Sequence, residues 1–336
     1  GSFKNLTSNY KDLKGLFPES IGQKIPSALN FLGLFSAQGK LNISNQKIAI
    51  DFDIDTDLGS ISTDLMLDNI KDIDAANYNG QLQLANFDLG SFMQNPKLGL
   101  VDTNLKIKGE GFKIENIRSD VEGSFKRFQY NDYNYKDLQV LGLIENRIFS
   151  GQLKADDNNL QLDFEGLVDF SSNENIYDFS VNVQRADLKA LNFIERDSTS
   201  VFSGNIAMDM RGTNLNDLYG SLQFTDTRYK NQNDSYYFED FQVLSSFDSK
   251  EIRTISFDSP EIIEGTFQGI FKIKEIPMML ENALSGIYSN IMVNRISSKQ
   301  SLKFNFKLYN KIIEVFYPSL EFGANTFFRG VLDSDP

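Results

Sequence analysis

The residues best suited to chemistry in this chain are carboxylates. Asp51, Asp53, Asp55 and Asp57 recur at every second position, with Phe52 and Ile54 among the residues between them, and such a run invites a calcium reading. An EF-hand loop needs Gly at its sixth place and Glu at its twelfth; counted from Asp51, those places hold Thr56 and Ser62. On an extended strand the same spacing puts all four carboxylates on one wet face. Asp156-Asp157-Asn158-Asn159 has the composition of a polar turn. Gly109-Glu110-Gly111 lacks the lysine and the strand-to-helix setting of a phosphate loop and also reads as a turn. With 46 acidic residues, some pair always falls at a glycosidase-like separation, so a pair alone carries no signal. The chain has no His and no Cys, which removes Ser-His-Asp catalysis, zinc sites built on His, disulfides and thiol chemistry. We therefore expect a protein that is not an enzyme, with no catalytic residue, no metal and no cofactor. A net charge of −13 sets phosphate-mediated nucleic-acid binding aside.

What the sequence does supply is one-faced strands. Leu82 and Leu84 alternate with Gln81 and Gln83, Leu105 and Ile107 with Lys106 and Lys108, and Leu160, Leu162 and Phe164 with Gln161, Asp163 and Glu165. Phe179, Val181 and Val183 follow, then Ile206, Met208 and Met210, then Phe267, Phe271 and Ile273, and last Phe304, Phe306 and Leu308. Strict alternation means one apolar and one solvated face. These residues are expected to line one apolar surface, on about eighteen strands in all. Gly1-Ser2 reads as an expression scar, and residues 3–35 as a helical or irregular lead-in, from Tyr10, Leu13, Leu16 and Phe17 ahead of Pro18. The β region is placed at 36–275. A segment at 276–296 carries a helix at about 277–292, with Pro277 at its start and Leu280, Leu284, Ile287 and Ile291 as an apolar stripe. That stripe is expected to pack on the apolar surface, as a plug or as a core filler. Strands resume over 297–336.

The pattern repeats. Asp137-Leu138-Gln139-Val140-Leu141 returns as Asp240-Phe241-Gln242-Val243-Leu244, Gly166 as Gly269, Lys108-Gly109 as Arg211-Gly212, and Gly123-Ser124 as Gly220-Ser221. The spacing is roughly 100 residues, the signature of a repeat array. Two copies are placed at about 78–176 and 177–273, with no Pro-rich or Gly/Ser-rich linker between them. Each one-faced strand could pack against an opposite sheet, as in tandem sandwiches. A single long sheet must instead curl, because a bare apolar face of that length exceeds what soluble proteins tolerate. The trough so formed would suit acyl chains, which need dispersion contacts and no hydrogen bonds.

Segment 123–170 runs from Gly123-Ser124-Phe125 through Tyr135-Lys136-Asp137-Leu138 and a hairpin at Asn146. It continues with Leu153-Lys154-Ala155-Asp156-Asp157 and closes on Leu160 to Gly166. This order resembles the repeats of the TamB branch of the AsmA-like, bridge-like lipid transfer proteins, especially the Bacteroidota versions. In the diverged second copy, Phe238-Glu239 and Asp258-Ser259-Pro260 replace the Tyr-Lys pair and the Asp-Asp turn. The resemblance implies a mainly β fold: an elongated, twisted antiparallel β-groove, taco-like, of stacked repeats with short helices near its ends. It implies a periplasmic segment of a protein anchored in the inner membrane, conducting phospholipid towards the outer membrane, with an outer-membrane β-barrel partner bound outside this stretch. The alternatives are a scaffold or chaperone for outer-membrane protein assembly, and a tandem-sandwich adhesin.

Overall fold

The structure, a computed structural model, describes residues 1–16, 27–44, 47–69, 75–112, 115–285, 293–309 and 325–334. Its strands are β1 (Ser2–Ser8), β2 (Phe35–Ile43), β3 (Lys47–Thr56), β4 (Gly59–Asp68), β5 (Asn77–Asp88), β6 (Leu98–Glu110), β7 (Arg118–Tyr130), β8 (Tyr133–Tyr135), β9 (Leu138–Glu145), β10 (Ile148–Asp156), β11 (Leu160–Asp169), β12 (Ile176–Asp187), β13 (Ser200–Arg211), β14 (Tyr219–Asn231), β15 (Ser235–Phe247), β16 (Arg253–Ser259), β17 (Ile263–Ile270), β18 (Ser301–Leu308) and β19 (Thr326–Asp333). They form one mainly antiparallel β-sheet of nineteen strands that is not closed into a barrel. Tandem sandwiches need paired sheets, so that alternative is corrected at the level of architecture.

The chain divides into two compact units, residues 1–171 with 183–198, and residues 172–182 with 199–336. In the first, the strands pair in chain order from β1 to β7, then β9, β10 and β11, with short β8 continuing the β9 line along β7. The lead-in corrects the sequence expectation. Residues 2–8 are a strand laid against β2, because Phe3 and Leu6 find a ladder there that isolated periodicity could not reveal. Helix α1 (Tyr10–Leu16) and a 3-10 turn (Ser27–Leu32) follow it, while Phe17 and Pro18 lie outside the described residues. In the second unit, β13 to β19 again pair in chain order.

The strand series recurs. β6 and β13, β7 and β14, β10 and β16, and β11 and β17 begin at matching places, and β8 with β9 spans the stretch that β15 spans alone. Local chemistry recurs with it. Asp88 accepts Ser91 N at 2.9 Å and so caps helix α2 (Leu89–Met93), while Asp187 accepts Ala190 N at 3.1 Å in the matching turn. Asp157, only 3% exposed, accepts Tyr133 Oη at 2.5 Å, Lys136 N at 3.0 Å and Asn159 N at 2.8 Å. Burial, and then this bond to the carboxylate, push the Tyr133 phenol up to about 12. In the second copy the Glu239 N–H, which stands where Lys136 does, is met at 2.7 Å by the Glu261 carboxylate from the next turn. The Asp-Asp turn is thus a peg that satisfies a main-chain donor where the strand breaks, and one carboxylate does the same work in each copy.

Buried apolar residues gather in small clusters near strand ends. Ile48, Leu67 and Tyr78 form one in the first unit. Ile255, Phe271, Met279, Leu302 and Leu332 form another in the second, with Val243, Phe257, Phe267, Ile273, Ile276, Ile296 and Phe304 packed on it. Helix α3 (Ile276–Ser285) covers this cluster.

Candidate ligand-binding face

Directly paired residues of an antiparallel ladder point to the same side, so the registers assign the faces. In the first unit one row runs Gly39, Phe52, Thr63, Leu82, Leu105, Gly123, Val140, Leu153, Phe164. Eight steps of ~4.8 Å make it on the order of 40 Å long. A parallel row carries Ile54, Ile61, Leu84, Thr103, Phe125, Leu138, Ala155 and Leu162. A third includes Leu65, Gly80, Ile107 and Val121. Leu160 shares the parity of Leu162 and Phe164 at the start of β11. The sequence-predicted residues of this unit therefore do lie on one side.

In the second unit Met208, Leu222, Val243, Phe257, Gly265, Phe306 and Phe328 make one row, and Met210, Gly220, Ser245, Ile255, Phe267, Phe304 and Gly330 the next. Ile206 pairs with Phe224, which pairs with Phe241. Leu308, 2% exposed, closes the far end opposite Ile263. On β12, whose residues 176–182 belong to this unit and 183–187 to the first, Phe179, Val181 and Val183 share one parity, the first two half-buried and Val183 buried. Ring contacts join Phe257 to Phe267 at 5.0 Å, Phe267 to Phe306 at 5.5 Å and Phe306 to Phe328 at 5.2 Å. The site expectation omitted Phe125, Phe241, Phe257 and Phe328; their signal was the same period of two, most visibly in Ile255 and Phe257 alternating with Thr254, Ser256 and Asp258.

The degree of burial decides what this face is. Phe52, Leu82, Leu84, Leu105, Ile107, Leu153, Leu162 and Phe164 are half-buried, as are Met208, Leu222, Phe224, Phe257, Phe306 and Phe328. A second layer would bury mid-strand residues first, as it does wherever two sheets stack ~10 Å apart. Here most apolar mid-strand residues of the rows stay half-buried, Thr103 and Ile255 being buried, and the buried apolar clusters lie nearer the strand ends. A Cβ on Gly265, at φ +148°, would stand 2.2 Å from the Asn305 carbonyl oxygen, so no other residue fits between Phe257 and Phe306.

The opposite face is wet. Lys106 meets Glu122 at 3.7 Å and Lys154 meets Asp163 at 3.4 Å, all more than half exposed, contacts worth ~0–1 kcal/mol each. The acidic run lies here too: Asp53 accepts Ser62 Oγ at 2.6 Å and Asp55 accepts Ser60 Oγ at 2.7 Å. Among the described residues no group of three or more potential ligands could hold a metal, and no helix is long and apolar enough to cross a membrane.

Two expectations are corrected. Ile273 opens a 3-10 turn (Ile273–Glu275) instead of continuing a strand, since β17 ends at Ile270 and Phe271 turns into the buried cluster. In α3, Leu280 and Leu284 are 43% and 38% exposed, and the inward residue is Met279 at 2%. The chain enters from Phe271 and Ile273, which already lie on the cluster. That path fixes Ile276 inward, and Met279 follows one turn later. Ile287 and Ile291 lie outside the described residues. The helix does sit on the predicted strands, through a different stripe. Glu275 holds its start. Its carboxylate accepts Ser297 N at 2.7 Å, Ser297 Oγ at 2.9 Å and Gln300 Nε2 at 2.7 Å. Those bonds, the Ser297 N–H foremost, keep its carboxyl below the ordinary range.

Comparison of the chain with family models, with curated proteins and with solved structures returns no match.

Proposed function

We propose that the apolar face of each unit holds the acyl chains of phospholipids and lets them slide along the strands' shared side, with head groups left in water. The observation that supports this reading is the half-buried state of most apolar mid-strand residues of the rows, while the buried apolar clusters lie nearer the strand ends. An apolar surface tens of ångströms long that, α3 over part of the second unit aside, no layer among the described residues covers needs an apolar occupant. Leu, Phe, Met and Val offer dispersion contacts with no directional demand, so no single deep well would trap a chain. The wider setting, a periplasmic segment of an inner-membrane protein that passes phospholipid to the outer membrane beside a β-barrel partner, rests on the TamB-like repeat pattern. A mass spectrum of the organic extract of the purified protein tests the reading: co-purified phospholipid is expected. An empty extract, together with failure to take up spin-labelled phospholipid from detergent, would overturn it.

A further inference from the structure

The apolar face of the first unit contains a stretch with no side chains. Gly142 on β9 pairs with Gly151 on β10, and Gly151 with Gly166 on β11. Three adjacent strands thus set glycine beside glycine, over on the order of 10 Å at ~4.8 Å a step. The row Val140, Leu153, Phe164 stands on one side of this floor and the row Ile144, Phe149, Val168 on the other, and all six residues are half-buried. The Phe149 and Phe164 ring centroids are 6.2 Å apart, so both rows rise from the same face.

The backbone fixes the floor. A Cβ on Gly142 would stand 2.7 Å from the Ser150 carbonyl oxygen, and one on Gly151 would strike the Leu141 carbonyl oxygen, so neither place takes another residue unless the strands shift. Only the edge of the Phe149 ring reaches over it, with Cε2 2.9 Å from where a Gly142 Cβ would be. The second copy builds this row differently. Val140 matches Val243, so Gly142 matches Ser245, and from there the row runs through Ile255 and Phe267. Ser245 and Ile255 are each 5% exposed, and Ile255 lies in the cluster under α3. The row that is filled and covered in the second unit is bare in the first.

The chemistry of the floor selects its occupant. The glycine N–H and C=O groups belong to the ladders, which leaves Cα hydrogens facing out. A peptide laid there would bury its own main-chain donors and acceptors unpaired. A helix is ~10–12 Å across with its side chains, too wide for walls whose Cα atoms stand about 14 Å apart before their side chains are counted. A polymethylene chain has no hydrogen-bonding group. It can touch the floor from above and Leu153, Phe149 and Phe164 from the sides, at the ~3.5–4.0 Å where dispersion is strongest.

We propose that Gly142, Gly151 and Gly166 form the preferred seat for a phospholipid acyl chain on the first unit's apolar face, with Phe149 and Phe164 at its sides. The proposal rests on the lipid reading above and adds where a sliding chain pauses. A preference of about fivefold over neighbouring rows is expected from the added side contacts, shallow enough for the chain to move on.

The chain contains no Trp, so single tryptophans report occupancy. Phe149→Trp is compared with Phe52→Trp, half-buried on the same face of the same unit, and with Leu141→Trp, 56% exposed on the wet face opposite Glu122. The probe is phosphatidylcholine brominated on its acyl chains and delivered from detergent. At one lipid per protein, Phe149→Trp is expected to be quenched several-fold more than Phe52→Trp. Excess lipid should bring Phe52→Trp to the same level and leave Leu141→Trp unquenched. Val168→Phe sets a ring beside the floor and is expected to weaken binding of the first lipid about fivefold, while Leu141→Phe leaves it unchanged. Val140→Phe repeats the test from the other wall, and thermal melts identify the variants that fold. Quenching of Phe149→Trp and Phe52→Trp in step at every lipid ratio, or unchanged binding in the folded Val168→Phe and Val140→Phe proteins, overturns the seat and leaves the lipid-carrying face standing. No quenching at either site in excess lipid overturns both.

Discussion

Placing a charge in the middle of the apolar face separates an open trough from a covered core. Phe164 sits half-buried on β11, opposite Leu153, with its ring centroid 6.2 Å from that of Phe149. Full burial of a Phe side chain is worth ~1.5–3 kcal/mol, so a half-buried one loses about 1 kcal/mol on replacement. Arg at this place can lay its methylenes along the rows and lift its guanidinium to water. Phe164→Arg should therefore lower stability by about 1 kcal/mol, and it should deplete bound phospholipid because the charge stands where acyl chains lie. Were the same position covered by a second layer, an unpaired buried charge would cost several kcal/mol. Ile48→Ala in the same unit calibrates the scale. Ile48 is 4% exposed among Leu67 and Tyr78, and its truncation should cost ~2–5 kcal/mol. The assay is urea unfolding at constant slope, paired with lipid content of the extract. If Phe164→Arg costs more than Ile48→Ala, or abolishes cooperative unfolding, the open face is refuted.

Met279→Ala should destabilise the docking of α3 by ~2–5 kcal/mol, whereas Leu280→Ala should change it by less than about 0.5 kcal/mol; hydrogen exchange over 276–285 distinguishes them. Glu275 has a folded pKa below its unfolded one, so its contribution is present at neutral pH and is lost as pH falls through the lowered value. Protection of the α3 amides, taken relative to their intrinsic exchange rate at each pH, should therefore be flat near neutrality and fall in acid, and the Glu275→Ala protein should lose that acid step. Gly265→Val should cost several kcal/mol, since the backbone at φ +148° and the nearby Asn305 oxygen leave no room; an unchanged melting temperature would contradict the packing. Tyr133 has a folded pKa raised to about 12, so its contribution is full below the unfolded value near 10 and lost as pH rises towards 12. The Tyr133→Phe protein should lack that alkaline loss, read by circular dichroism.

The strand content and the two faces follow from the sequence because a strand's side-chain period is two. Leu82, Leu105 and Phe164 could be placed on one side before any fold was seen. The repeat was equally legible, since the Asp157 peg and the Asp88 cap act within a few residues or between neighbouring strands, where spacing is preserved in the chain. Local pattern is silent on what covers a face. Sandwich and single sheet share the same alternation, and only the pairing of the strands into one sheet told them apart. The lead-in shows the same limit: Ser2–Ser8 becomes a strand because β2 offers its edge, a partner 27 to 38 residues away. Helix α3 shows it most clearly. Two overlapping stripes, Ile276 with Met279 and Leu280 with Leu284, are equally apolar in sequence. The point at which the chain comes off β17 turned the first towards the cluster. Rotation of a helix about its axis is set by its attachment and its contact surface, and both are properties of the tertiary fold.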